Sequence, residues 1–431
     1  MDLHLDEYRT RVEQRISARL SSLRRFDAVA GPASELVDSC LELARGGKRS
    51  RAVLVLAGFL AASATDHVAS ATDHPAPRSL ARTSSNSAEQ AECCAAAHSN
   101  IGATAPTDGD ATGGSDSCFA GQTEILGAWR EALARAGAGV ELFHLAALIH
   151  DDLIDASPVR RGVPTVQERF ADFHVSRGWD GSGTVFGSAI AVIAGDAVLA
   201  QACTEIASGQ DLAQKLSATT AGVETLTLEN SAVAAFNLMA EEVAYGQYLD
   251  LRAEVEPATD PIARAFQVIR YKTVSYSALY PLLIGARLTG ASTPELEATL
   301  TAFAVPFGEA FQLRDDDLGI FGEPEHTGKP AAGDITEGKH TVLRALAEKE
   351  LSSSQRAWLQ SLQKEKGGMV ALADAEVAQV RKLFITSGAR DAHEALIAQR
   401  EEAAGAALEK LPAASAQVLS SLLTSFAGRI Y

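Results

Sequence analysis

The sequence predicts an all-α protein, and three observations point there. Hydrophobic residues make up 46% of the 431-residue chain, with Ala and Leu dominant among them. Apolar side chains recur at helical spacing over long stretches. Few short runs alternate as a half-buried strand requires. A chain of this length can bury one large core or two smaller ones. No stretch reads as a linker between folded units, so a single domain over residues 1–431 is expected.

The elements follow in order. Residues 3–27 place Leu5, Val12, Ile16, Leu20 and Leu23 near helical spacing, as an amphipathic helix requires. Gly31-Pro32 breaks it and starts a second helix through Leu36, Leu41 and Leu43. Residues 51–62 (RAVLVLAGFLAA) read as a buried helix. Residues 63–122 then turn to Ala, Ser, Thr, Gly and Asp, and Ser-Ala-Thr-Asp-His occurs twice. Such a stretch cannot bury enough apolar surface to offset its ordering entropy, so it is expected to be a disordered low-complexity insertion. Its His67, His74, His98 and Cys93-Cys94 match no zinc spacing. Helical pattern resumes near Glu124. It is strongest over 139–156, 186–208, 211–222, 228–251, 261–289, 294–320, 340–349, 354–364, 370–387, 390–410 and 415–428. Loops are expected at 178–183 and 321–339.

The formal charge of −17, from 38 basic and 55 acidic residues, argues against non-specific nucleic-acid binding. Five cysteines without metal-site spacing fit a reducing, cytoplasmic setting better than a disulfide framework. The opening MDLHLDEYRTRVEQRI is charged and amphipathic, unlike a signal stretch. No apolar run approaches the length of a membrane span, so no transmembrane segment is expected.

Two acidic clusters carry the chemistry. The first is Asp151-Asp152-Leu153-Ile154-Asp155, followed by Arg160-Arg161-Gly162. The second is Asp315-Asp316-Asp317, followed by Gly328-Lys329-Pro330 and Glu337-Gly338-Lys339. Carboxylates gathered in apolar sequence repel one another unless a cation lies between them. Mg²⁺ suits that need, since it is held by few carboxylates together with substrate phosphates. The nearby Lys and Arg suit the phosphates. Asp151 and Asp155 are one helical turn apart on one face, and Asp152 lies about 100° round. Greasy neighbours (Leu145, Leu148, Ile149, Leu153, Ile154) set them apart from a solvated acidic helix end. In the second cluster the one-turn partner is missing, because position 319 is Gly. Gly46-Gly47-Lys48-Arg49-Ser50-Arg51 adds a flexible glycine pair before three cations, and His144 stands two turns before Asp151 on nearly the same face. Taken alone, such a basic hexamer or histidine is more often a surface or structural feature. Lys272-Thr273 and Gln247…Asp250 are weaker still.

In order, GGKRSR, HDDLID…RRGVPT, YGQYLD, YKT and FQLRDDDLGIFG…GKP…EGK resemble the motifs of the polyprenyl synthetase family, the trans-isoprenyl diphosphate synthases. The resemblance spans about residues 35–345 outside the insertion. It implies an isoprenoid synthase-type bundle of about ten or more helices around a central cavity, usually a homodimer. It implies Mg²⁺, as two or three ions bound with the substrate diphosphate, on Asp151, Asp155 and Asp315, with Asp152 and Asp316 in support. Arg160, Lys272, Thr273 and Lys329 resemble the residues that hold an allylic diphosphate, with Lys339 and Gln312 at the same rim. Lys48, Arg51, His144 and Arg161 resemble the isopentenyl diphosphate site. The implied reaction is condensation of these two substrates to an all-trans polyprenyl diphosphate, with the released diphosphate as base.

The chain departs from the family at Gly319, which replaces the last Asp of the second motif, and at Gln167, where His is usual. Ala147 and Ala146, four and five residues before Asp151, occupy the positions that floor the growing chain in the family. Two small residues there point to a C20 (geranylgeranyl) or longer product, unless Phe143 or the 186–200 helix sets the floor. A class I terpene cyclase shares the acidic ionisation site but would need no isopentenyl diphosphate pocket. A silent subunit of a heteromeric synthase would be expected to lose aspartates of the first motif.

Overall fold

Tyr8, Val12, Ile16 and Leu20 recur every four residues along the first helix, Leu5–Ser21 (α1), and all four are buried. The same logic, an apolar stripe turned inward, builds the rest of the chain. The computed structural model describes residues 5–27, 33–72, 114–160, 162–221, 228–323, 332–363 and 372–427. Helices α2 (Ser34–Ala44), α3 (Ser50–Thr72) and α4 (Gly114–Ile154) follow α1. The edges of the expected insertion are therefore helical, up to Thr72 and from Gly114. Residues 73–113 lie outside the described residues.

Next come α5 (Val166–Ser176), α6 (Gly183–Ala221) and α7 (Ala232–Val255). The sequence pattern placed a break near Gly209, yet α6 runs straight through it. A Cβ on Gly209 would lie 3.0 Å from the Ala132 carbonyl oxygen, so this glycine marks where α6 crosses α4. These two helices share the most extensive packing in the molecule. The single helix expected over 261–289 divides in three: α8 (Pro261–Val268), a π-helical segment (Ile269–Leu279) and α9 (Tyr280–Leu288). The long α10 (Pro294–Phe321) starts at Thr293, whose side chain accepts the Leu296 N–H at 3.2 Å.

The last helices are α11 (Gly333–Thr336), α12 (Val342–Glu350), α13 (Ser353–Ser361), α14 (Asp374–Thr386), α15 (Ala389–Leu408) and α16 (Ala413–Ala427). Most of the apolar core is continuous through α1, α3, α4, α6, α9 and α10. A second core, with Ile320, Ile335, Leu343, Leu359 and Phe384, lies under the C-terminal end of α10. A two-residue antiparallel hairpin (Val159–Arg160 and Val163–Pro164) lay below what the pattern of alternation could reveal.

The premise about apolar run length needs correction. Two helical stretches, Ile125–Ile154 and Gly183–Ala218, are long and apolar enough to cross a membrane by length and composition alone. Scattered Gly, Ser and single charges interrupt their apolar runs while the mean hydropathy stays high enough for a span, which is why run length missed them. The first is a core helix, with 78% of its most apolar window buried. In the second only 28% of the most apolar window is buried, and Val185, Val192 and Ile193 turn outward.

Candidate active site

The first acidic cluster closes α4. The helix ends at Ile154, but the Asp155 N–H still reaches the Asp151 carbonyl at 2.8 Å. The one-turn relation of the two carboxylates therefore survives the helix end. Ala156 then enters the left-handed region at φ 51° and turns the chain away. The buried Gln167 clamps this end, donating from Nε2 to the carbonyls of Asp152 (3.0 Å) and Ser157 (2.8 Å). The hairpin brings Arg160 back over the cluster. Its Nε and Nη2 both lie 2.6 Å from Asp152 Oδ1, and Nη2 lies 3.9 Å from Asp151 Oδ2.

Lys272 comes from the π-helical segment, whose wider turn re-aims side chains and recurs at functional sites. Here α7 lies against its backbone at Gly246, where a Cβ would be 2.3 Å from the Lys272 nitrogen. Lys272 Nζ consequently reaches both Asp250 (2.7 Å) and Asp151 (3.2 Å). The Thr273 hydroxyl donates to Gln312 Oε1 at 2.8 Å, and Gln312 Nε2 donates to Asp316 Oδ1 at 2.8 Å. This chain of bonds ties the π segment to the second acidic cluster on α10. Asp315 faces the main cavity, whereas Asp316 is buried behind it. Asp317 turns to the far side of α10, where Arg390 Nε stands 3.3 Å from it.

The basic wall is the loop before α3. Gly46 (φ 79°), Gly47 (φ 94°) and Arg49 (φ 50°) all take left-handed backbone, which the glycines permit without steric cost. Glu141 of α4 accepts the Ala52 N–H at 3.1 Å and lies 3.7 Å from Arg49, so one buried carboxylate fixes both loop and helix start. Arg51 donates to the Ser277 hydroxyl at 2.7 Å and stacks 4.5 Å above the Tyr276 ring. The His144 ring lies 5.7 Å from the same tyrosine.

One cavity of about 510 Å³ gathers these walls. Lys48, Arg51, His144, Asp151, Asp155, Arg160, Thr273, Gln312, Asp315 and Lys339 line it, with Leu145, Leu148 and Phe311 among the apolar contributors. Lys272 and Asp316 line a smaller adjoining cavity of about 100 Å³ that shares Thr273, Gln312 and Lys339 with the first. Asp152 is buried against Arg160 and lines neither of these cavities. Arg161 and Lys329 lie outside the described residues. The sequence alone marks Gln167 only as a departure from the family pattern and Glu337 only as a neighbour of Lys339, and it passes over Ser277, Tyr276, Glu141 and Asp334, whose partners are distant in sequence or whose types are ordinary in helices. Of the floor positions, Ala146 is buried and Ala147 half-buried, while Phe143 packs edge-on against Phe236 at 5.6 Å.

The electrostatics separate the carboxylates. Burial alone would raise Asp151, but Lys272, Lys339 and Arg160 together hold it below the usual carboxylate range. Burial and the charge of Asp151 push Asp155 up to about 6. Asp152 also rises to about 6, because its burial outweighs the Arg160 charge. Burial, then Asp334, drives Asp316 well above its ordinary value. Burial opposes the charge on Lys272 and Lys339, yet the surrounding carboxylates raise both.

Among the described residues no three His, Cys, Asp or Glu side chains are gathered closely enough to hold a metal ion unaided. The hard oxygen donors stand around the cavity instead. That donor set fits Mg²⁺ bound jointly with a substrate phosphate group.

Comparison with known proteins agrees. Residues 120–380 match the family model for polyprenyl synthetase. A geranylfarnesyl diphosphate synthase of Aeropyrum pernix is 31% identical over 295 residues, covering 67% of this chain and 80% of that protein. A geranylgeranyl diphosphate synthase of Sulfolobus acidocaldarius is 30% identical over 226 residues, 51% of this chain and 58% of the relative. A Corynebacterium glutamicum geranylgeranyl pyrophosphate synthase, crystallised with isoprenyl diphosphate and magnesium, superposes with a TM-score of 0.71 at 28% identity. That superposition covers 99% of this chain and all of the other. The chain belongs to the polyprenyl synthetase family and is a trans-prenyltransferase.

Proposed function

We propose that this polyprenyl synthetase condenses isopentenyl diphosphate with an allylic diphosphate to give an all-trans polyprenyl diphosphate of C20 or longer. The reading rests on one observation above the others: a single cavity carries Asp151, Asp155 and Asp315 together with the basic wall of Lys48 and Arg51. A terpene cyclase would ionise its substrate with the acidic groups but would have no use for that wall. A silent subunit would have no need of an intact first cluster.

Asp151, Asp155 and Asp315 would hold Mg²⁺ as two or three ions. Asp152 would support them by aiming Arg160, and Asp316 by fixing Gln312. Bound with the substrate, Mg²⁺ would neutralise charge on the departing diphosphate. Arg160, Lys272 and Lys339, with Thr273, Gln312 and Lys329, take the allylic diphosphate. Lys48, Arg51, His144 and Arg161 take isopentenyl diphosphate. When the allylic C–O bond breaks, the electron pair leaves with the diphosphate, where the lysines and Arg160 stabilise it. The alkene of isopentenyl diphosphate then bonds to the allylic carbon, and a proton passes to the released diphosphate. Leu145, Leu148 and Phe311 help to exclude the water that would quench the cation.

The same reading includes a homodimer, with the outward apolar face of α6 covered by a second copy, and a cytoplasmic location, in keeping with the free Cys40 and Cys203. Residues 63–122 remain a proposed insertion in a single domain. The test is chromatography of dephosphorylated products after incubation with isopentenyl diphosphate, Mg²⁺ and each allylic primer. Linear products of C20 or more are expected, and Ala146→Phe should shorten them. Cyclic hydrocarbons, or no elongation with any primer, would refute the reading. An unchanged product from a well-folded Ala146→Phe protein would refute only the chain-length part.

A further inference from the structure

Gly319 follows Asp315 by one helical turn on the same face of α10. The first cluster carries its second carboxylate at that spacing, whereas the second cluster has no side chain there at all. The space is nevertheless filled. A Cβ built on Gly319 would lie 2.1 Å from Oδ2 of Asp334, 2.6 Å from its Cγ and 3.0 Å from its Oδ1. The whole carboxylate of Asp334 thus rests on the glycine, where a side chain from position 319 would begin.

Asp334 arrives from α11, a separate helix packed on α10. Ala332, at φ 54°, turns the chain onto α10, and the Lys339 N–H closes the turn on the Asp334 carbonyl at 2.9 Å. Lys339 Nζ takes Glu337 as its near partner at 2.7 Å and lies 4.0 Å from Asp334.

We infer that Asp334 supplies the carboxylate that position 319 lacks, completing the second acidic cluster toward substrate-bound Mg²⁺ from a different helix. The inference rests on the proposed diphosphate site and deepens it. It makes residues 319 and 334 exchangeable only as a pair. Gly319→Asp alone would force two carboxylates into the volume of one, adding steric overlap to like-charge repulsion.

The experiment titrates Mg²⁺ calorimetrically into the full chain with inorganic pyrophosphate present, alongside thermal melts of each variant. Asp334→Asn should keep the wild-type melt and weaken Mg²⁺ by about tenfold or more, as loss of a carboxylate close to a metal does. Gly319→Asp should also weaken it, and Gly319→Asp with Asp334→Ala should return it close to wild type. Wild-type Mg²⁺ affinity in Asp334→Asn, with or without a lowered melt, would overturn the inference and leave Asp334 a packing residue. A double variant that folds but binds no better than Gly319→Asp would do the same. If the Gly319→Asp proteins fail to fold, the near-isosteric Asp334→Asn decides alone. Absence of Mg²⁺-dependent pyrophosphate binding in the wild type would instead refute the proposed diphosphate site itself.

Discussion

The two acidic clusters open with the same Asp-Asp pair and are folded into different surroundings. Asp151 and Asp155 both face the large cavity, and the aspartate between them is turned inward onto Arg160. On α10 only Asp315 faces that cavity; Asp316 is bonded to Gln312, and Asp317 is buried on the far side against Arg390. A run of aspartates on a helix cannot present every carboxylate to one ligand, because each step rotates the next by about 100°. What distinguishes the clusters is the residue one turn on, an Asp in the first and a Gly in the second.

The largest expected effect tests that asymmetry directly. Asp151→Ala and Asp155→Ala should each lower kcat by at least about a hundredfold, as removal of other charge-stabilising groups does. Asp315→Ala should cost less, because Asp316 and Asp334 remain beside it. Steady-state rates at saturating substrates, with and without EDTA, measure this. Equal losses in all three, or turnover in EDTA, would erase the distinction.

The far side of α10 offers the next test. His393 is buried in α15 beside Asp317 and Arg314, with Arg390 and Glu394 close by in the same helix. Burial outweighs the Asp317 charge and lowers its pKa to about 4 from 6.5. The unfolded chain thus binds the extra proton between these values. Its stabilising contribution is complete above pH 6.5 and is lost as pH falls towards 4, up to about 3 kcal/mol. Asp152 and Asp155, with raised values, slope the opposite way, so the difference between wild type and His393→Gln is the informative curve. Denaturant midpoints across pH 4–7 should show the variant losing less stability on acidification. Parallel curves would mean that His393 is not held neutral.

The basic wall should respond in binding rather than turnover. Lys48→Ala or Arg51→Ala should raise the KM for isopentenyl diphosphate by the equivalent of about 1.5–3 kcal/mol, the cost of a charge-assisted contact. Arg51 should show the larger effect, since it also stacks on Tyr276. A rise confined to the allylic substrate would exchange the two pockets. The smallest effect is expected from replacing residues 73–113 with a short Gly/Ser linker. Loop-closure entropy changes slowly with length, so Tm and the rates of both cluster variants should hardly move. Loss of turnover would show that the segment contributes to the site.

Local relations were legible in the sequence, and distant ones were not. The Asp151–Asp155 pair, the basic hexamer and most helices depend on spacing within one or two turns. The continuity of α6 through Gly209 depends on the facing backbone of Ala132, 77 positions away in the chain. The π-helical slip at 269–279 has no compositional mark, because its residues suit an ordinary helix equally well. Gln167 reads as a neutral replacement until its bonds to Asp152 and Ser157 place it at the end of α4. Gly319 reads as a loss until Asp334 is found in its space.

The most direct measurement is a crystal structure with Mn²⁺ and a non-ionisable allylic thiodiphosphate, using anomalous scattering to locate the metal. Metal is expected against Asp151 and Asp155 on one side of the diphosphate and against Asp315 on the other, with Lys272, Arg160 and Lys339 on its oxygens. Diphosphate bound only at the Lys48–Arg51 wall, or metal bound away from both acidic clusters, would contradict it.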